Sequence, residues 1–104
     1  MTRVTVTPGI CGLQTKLLLT AGEDQMISIL IESACPHIQA MQEDLRELDA
    51  YTACFARFSD SVVFASADKH CRHLACPVPT AIIKGLEVAA GLALPRSVHI
   101  EMEK

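Results

Sequence analysis

The sequence predicts an α+β fold: one four-stranded, mostly antiparallel sheet with helices packed on one face, in the order β-β-β-α-α-α-β. Three observations carry that expectation. Apolar residues recur at every second position through the first third of the chain and recur at three- and four-residue spacing through the middle. The period-two pattern returns once, after Pro95. With 104 residues, half of them hydrophobic and a fifth charged, residues 1–104 are expected to form a single domain with a buried core.

The strand signals come in order. Arg3 to Thr7 alternates Val4 and Val6 with polar neighbours, and Pro8 with Gly9 ends the run. Gln14 to Thr20 is rich in apolar and β-branched residues. Met26 to Glu32 places Ile27, Ile29 and Ile31 on one face. The connections between these runs are short, so the three strands read as an antiparallel meander.

The helix signals follow. From Pro36 to Leu48, residues Ile38, Met41, Leu45 and Leu48 mark one face of an amphipathic helix, with Pro36 at its first position. A short helix is expected over Ala50 to Phe58, and another through about Lys69, capped by Ser59 or Asp60. The last helix opens at Pro77 to Pro79 and runs to about Gly91, a suitable C-cap. It is apolar on most sides, and Ala81, Gly85 and Ala89 form a ridge of small residues along it. The fourth strand is assigned to Val98, Ile100 and Met102, which alternate with Ser97, His99 and Glu101.

Composition excludes several function classes. A net charge of -3 and four aromatic residues, none of them Trp, argue against nucleic-acid partners, which need a basic footprint and stacking platforms. The most apolar stretch, Ala81 to Leu94, is interrupted by Lys84 and Glu87 and is too short to span a bilayer, so no membrane association is expected. Met1 to Thr7 lacks the apolar core of a signal peptide. A cytoplasmic location follows as an expectation. There five cysteines, an odd number, serve as core residues, metal ligands or redox groups rather than as disulfides.

The cysteines carry the functional signal. Ala-Cys-Pro occurs at Ala34 to Pro36 and again at Ala75 to Pro77, so Cys35 and Cys76 each precede a proline that opens a helix. A helix N-terminus favours a thiolate, and a lowered thiol pKa is therefore expected at both. Cys11 joins them by topology. The first and third strands of a meander run the same way, so Cys11 and Cys35 leave the sheet at one edge. Cys71 lies five residues before Cys76, with His70 and His73 beside it. Cys11, Cys35 and Cys76, with Cys71 as the fourth ligand or His73 in its place, suit tetrahedral zinc or an iron–sulfur cluster. No Cys-x-x-Cys pair accompanies them, and Cys54 reads as core.

Other polar groups have simpler explanations. His37 reads as a first-turn surface residue, and Lys69, His70, Arg72 and His73 as a solvated basic loop. Lys84 and Glu87 are spaced to pair on the last helix. Gly9 to Gly12 lacks the lysine and further glycines of a phosphate loop.

The segment Ala75 to Pro95, which reads Ala-Cys-Pro-Val-Pro-Thr-Ala-Ile-Ile-Lys at its start, resembles the C-terminal part of a small uncharacterised family of anaerobic bacteria and archaea. The likeness extends to Gly9-Ile-Cys-Gly12 and Ser33-Ala-Cys-Pro36, and is least in the middle helices. It implies a cytosolic, anaerobic setting and assigns no substrate and no catalytic residue.

The expected function is therefore a metal-binding role at one sheet edge: binding, electron transfer or sensing, with a redox protein as partner. Two alternatives stay open. One is a metal-free protein whose Cys35 or Cys76 attacks an electrophile or binds a soft anion. The other is a homodimeric interaction module joined through the small-residue ridge or an exposed sheet edge.

Overall fold

In a computed structural model describing residues 1–104, four antiparallel strands form one sheet in the order β1-β2-β3-β4. They are β1 (Thr2–Val6), β2 (Thr15–Ala21), β3 (Met26–Ser33) and β4 (Glu47–Asp49). The meander is in register, with Val4 opposite Leu17 and Leu17 opposite Ile31. Alternation puts Val6, Leu17, Leu19, Ile27, Ile29 and Ile31 on a buried face and leaves Arg3, Thr5, Lys16, Ser28, Leu30 and Glu32 exposed on the other.

The helices are α1 (Pro36–Ala40), α2 (Ala50–Phe55), α3 (Val62–His70) and α4 (Val78–Ala89). Helix α4 packs on β1 and β2, and α1 on β3. Their buried residues, among them Ile38, Ala53, Val63, Ile82 and Leu86, join the strand residues and the loop residues Met41 and Leu45 in one apolar core. Each large side chain so buried contributes roughly 1.5–3 kcal/mol against chain entropy. Helices on one face of an antiparallel sheet are the expected α+β arrangement.

The tightest contact in this packing is at Gly85. A Cβ there would lie 2.9 Å from Leu19 Cδ1 and 3.0 Å from Val4 Cγ2. Of the small-residue ridge, Gly85 is the position that lets α4 settle on the sheet. Helix α4 ends as predicted at Gly91, in the left-handed region with φ +76°. The Leu92 N–H donates to the Glu87 carbonyl (2.8 Å) and the Gly91 N–H to that of Val88 (3.0 Å), a Schellman closure.

Three expectations need correction. The fourth strand is Glu47–Asp49, paired with Met26–Ser28, and not the segment around Val98, Ile100 and Met102. That segment has the alternation of a strand but no strand beside it, and its three apolar residues stand in solvent. The observed order is thus β-β-β-α-β-α-α-α.

The helix expected over Pro36 to Leu48 stops at Ala40 and continues as a 3₁₀ turn over Met41–Glu43. Glutamine side chains explain the change. Gln42 Oε1 accepts from the Ile31 N–H (2.6 Å), and Gln42 Nε2 donates to the Ile29 carbonyl (2.9 Å). Gln39 treats the Ser33 N–H and Ile31 carbonyl in the same way, at 2.8 and 2.9 Å. The two amides close the edge of β3 beyond the reach of β4.

The last correction concerns helix ends. Helix α2 stops at Phe55, three residues before the predicted end, and its N-cap is Asp49, which accepts from the Thr52 N–H at 3.0 Å. The cap of α3 is Ser61 rather than Ser59 or Asp60, and it accepts from the Phe64 N–H at 3.2 Å. Residues Phe58–Asp60 form a separate 3₁₀ turn before it.

Candidate functional site: a cavity lined by four cysteines

Strands β1 and β3 both run antiparallel to β2 and therefore end at the same edge of the sheet. Cys11 follows β1 in a turn closed by a Gly12 N–H to Gly9 carbonyl bond of 3.0 Å. Gly9 and Gly12 hold φ values of +103° and +68° there, backbone that glycine adopts without strain. Cys35 follows β3 as the N-cap of α1, with Pro36 at the first helical position as predicted.

Ser33 fixes the approach to Cys35. Its Oγ accepts from the Cys35 N–H (3.1 Å) and lies 2.7 Å from the hydroxyl of Thr15, which is fully buried. The Cys35 carbonyl accepts from the Gln39 N–H at 2.9 Å, the first bond of the helix.

The other two cysteines reach the same edge from α3 and α4. Cys71 is the C-cap of α3, its N–H donating to the Ala67 carbonyl at 2.7 Å. The loop then folds on the His73 carbonyl, which accepts from the Cys71 thiol (3.4 Å) and from the Cys76 N–H (3.0 Å). Cys76 sits one residue ahead of Pro77, the N-cap of α4.

One cavity of about 140 Å³ collects these elements. Cys11, Cys35, Cys71 and Cys76 all line it, together with His73, His37 and Arg72. Its apolar wall is Pro8, Leu13, Ile38 and Val78. Every residue assigned to the sulfur site from the sequence thus meets at one place. No three of the chain's His, Cys, Asp or Glu side chains stand in position to hold a single metal ion, so the sulfurs line a space rather than converge on a point.

The electrostatics differ from expectation at Cys76. Its thiol pKa is raised above the ordinary value, not lowered. Burial is the first cause, and the nearby Cys71 and Cys35 sulfurs add to it, while the Val78 backbone N–H works the other way. The helix N-terminus is present, but partial burial among other thiols outweighs it. No carboxylate lines the cavity, so Arg72 and the two histidines supply its titratable groups besides sulfur.

Two candidates lie elsewhere. His70 turns to Asp44, with Nε2 3.1 Å from Oδ2, in a network that also joins Ser66 and Lys69. Cys54 is half-buried against the core on α2, and burial first, then the charge of Glu87, raises its pKa. Lys84 and Glu87 form no ion pair. Sequence reasoning set aside His37 and Arg72, which the structure puts on the cavity wall. Their signal was position, since each adjoins a segment that carries a site cysteine.

No helix of the chain is long and apolar enough to cross a membrane. Compared with known proteins, residues 2–102 match the model described as a family of unknown function, DUF6951. No curated protein and no solved structure matches the chain.

Proposed function

This chain belongs to the DUF6951 family of unknown function, and we propose that it holds a thiolate-ligated metal centre, an iron–sulfur cluster, in the cavity between Cys11, Cys35, Cys71 and Cys76. The observation that carries the reading is the meeting of four cysteines, from segments spread over 66 residues of sequence, on one cavity.

Four cysteines around a space of about 140 Å³, with no three donors placed for a single ion, favour a cluster over one ion. Tetrahedral zinc needs its sulfurs about 3.8 Å apart, given Zn–S bonds near 2.3 Å. A cluster holds its ligating sulfurs farther apart and fills space between them. Burial and the neighbouring Cys71 and Cys35 sulfurs disfavour the Cys76 thiolate, and a bound metal of either kind offsets this by favouring the thiolate. Arg72 supplies positive charge beside an anionic thiolate complex. Zinc is the second reading: its donors are the same four sulfurs, with His73 available in place of Cys71, and they must close in from their present positions to hold one ion.

The role follows from exposure. Cys11 is exposed and lines the cavity, so a centre there lies near the surface, in reach of a redox protein partner. Electron transfer or sensing fits this better than a buried turnover site. The proposal extends to setting: a reducing cytoplasm of anaerobic bacteria or archaea keeps five cysteines unpaired.

Anaerobic purification of the full chain tests the reading. A brown protein with iron and acid-labile sulfide in stoichiometric amounts is expected, and Cys35→Ser or Cys76→Ser abolishes the colour while Cys54→Ala keeps it. A colourless protein with one zinc selects the second reading. Absence of both metals, with Cys35 or Cys76 reacting fast with a thiol reagent, overturns both in favour of a metal-free thiol protein.

A further inference from the structure

The sheet has two edges, and they are treated differently. On the far side of β3, β4 pairs with Met26–Ser28, and the Gln42 and Gln39 amides take up backbone groups of Ile29, Ile31 and Ser33. On the near side, β1 pairs with β2 alone, and its outer edge carries no strand and no side-chain amide. Val4, on the core-facing side of this edge, is left half-buried. An open edge is a template for another strand.

The chain also carries a strand pattern without a sheet. After Pro95 no residue belongs to a helix or strand. Val98, Ile100 and Met102 alternate with Ser97, His99 and Glu101, and the three apolar side chains are 59%, 70% and 87% exposed. A single-faced apolar strand in solvent has nothing to bury its face, while the same molecule displays an edge that lacks a neighbour.

We propose that the C-terminal segment of one copy adds as a fifth strand to the β1 edge of a second copy, and reciprocally, to form a twofold dimer. Pairing and charge fix the register. An antiparallel strand with Ile100 opposite Val4 puts Val98 opposite Val6 and Met102 opposite Thr2, all on the core-facing side. The solvent side then sets Glu101 opposite Arg3 and His99 opposite Thr5. A slip of one residue turns all three apolar side chains outward. A parallel strand keeps them inward but moves Glu101 from Arg3 to Thr5, so the one charge pair is lost. Opposite charges across a strand pair stabilise, and like charges oppose it. Each copy supplies one β1 edge and one added strand, so the reciprocal exchange closes at two copies. The surface is separate from the sulfur cavity and stands whether or not a metal is bound.

Sedimentation velocity of the full chain from micromolar to submillimolar concentration tests this. A monomer–dimer equilibrium is expected. Arg3→Glu and Glu101→Arg each replace two attractive contacts per dimer by repulsive or unpaired ones and weaken dimerisation about tenfold, and the double swap restores most of it. Ile100→Pro, in a segment outside the folded core, abolishes the dimer while the circular dichroism of the fold is unchanged. A monomer at every concentration overturns the proposal, as does a dimer indifferent to these substitutions. Protection of the amides of residues 98–102 from hydrogen exchange in a monomer also overturns it, because the segment then pairs within its own chain.

Discussion

The hydroxyls of Thr15 and Ser33 lie 2.7 Å apart across the β2–β3 pair, and the same Ser33 oxygen holds the backbone of Cys35. Thr15 has no solvent contact, so its hydroxyl depends on this one partner. Core satisfaction and the placement of a site cysteine therefore share an atom. Ser33→Ala strands a buried hydroxyl and releases the Cys35 N–H, at a cost of about 1–3 kcal/mol. Thr15→Val removes the orphaned group instead and is the milder change. Urea denaturation of the two variants checks the order, and only Ser33→Ala is expected to speed alkylation of Cys35. Equal losses from both would show that the hydroxyl pair contributes nothing beyond packing.

Asp44 gathers Ser66 (2.8 Å), His70 (3.1 Å) and Lys69 (3.6 Å), tying the turn after α1 to α3. The Ser66 hydrogen bond is the main reason its pKa falls below the ordinary 3.8, with burial opposing and the Lys69 and His70 charges assisting. A carboxyl depressed in the folded state contributes stability above its unfolded pKa. That contribution fades as pH falls through the lower, folded value. The denaturation midpoint of the wild type should therefore drop on acidification through and below 3.8. Asp44→Asn should be less stable at neutral pH and show a shallower acid dependence. Parallel pH profiles for the two proteins would remove Asp44 from the account of acid unfolding.

Gly85→Ala sets two effects against each other. Alanine gains about 1 kcal/mol of helix propensity over glycine inside α4. Its Cβ, however, meets Leu19 Cδ1 at 2.9 Å and Val4 Cγ2 at 3.0 Å, and Leu19 is wholly buried. Overpacking of this kind costs about 1–3 kcal/mol. Net destabilisation of about 1–2 kcal/mol is expected, read as a lower urea midpoint, and a stabilised variant would mean that α4 rides off the sheet at little cost.

Particular residues show how far the sequence reaches. Ile27, Ile29 and Ile31 announce their strand because one face is buried, and burial imposes period two. Cys11 and Cys35 were placed together by topology alone, since two strands of a meander that run the same way end at one edge. Cys71 and Cys76 were not, because the return path of α3 and α4 depends on helix packing. The fourth strand is hidden from the sequence pattern for a physical reason at each place. Leu45 and Leu48 fit helical spacing from Ile38 equally well, and the glutamine bonds that end the helix leave no mark in a hydrophobic pattern. Val98, Ile100 and Met102 have a strand's alternation, but alternation does not supply a partner within the chain.

The cysteines should differ in reactivity in an order set by exposure and charge. Cys11 is exposed and should be alkylated first in the metal-free protein at neutral pH. Cys76 and Cys54 are part-buried with raised pKa values, so both stay protonated and react slowly. Metal separates them: bound metal should protect Cys11 and Cys76 and leave the rate at Cys54 unchanged. Mass spectrometry of timed alkylation reads all five sites at once, and protection of Cys54 by metal would place the metal outside the cavity.

Gln42 does the work of a strand with one side chain. Its amide both accepts from Ile31 and donates to Ile29, which is the pattern a neighbouring backbone would offer. Gln42→Ala leaves that N–H and that carbonyl to find water at the margin of a buried face, a loss of about 1–3 kcal/mol. Gln42→Glu keeps the acceptor for Ile31 but sets a carboxylate oxygen against the Ile29 carbonyl, so it should not rescue. Hydrogen exchange gives the direct reading. The Ile31 amide should exchange much faster in Gln42→Ala, while the Leu17 and Leu19 amides in the centre of the sheet change only with global stability. An Ile31 amide as slow as in the wild type would mean that the edge of β3 is protected by burial and not by the glutamine.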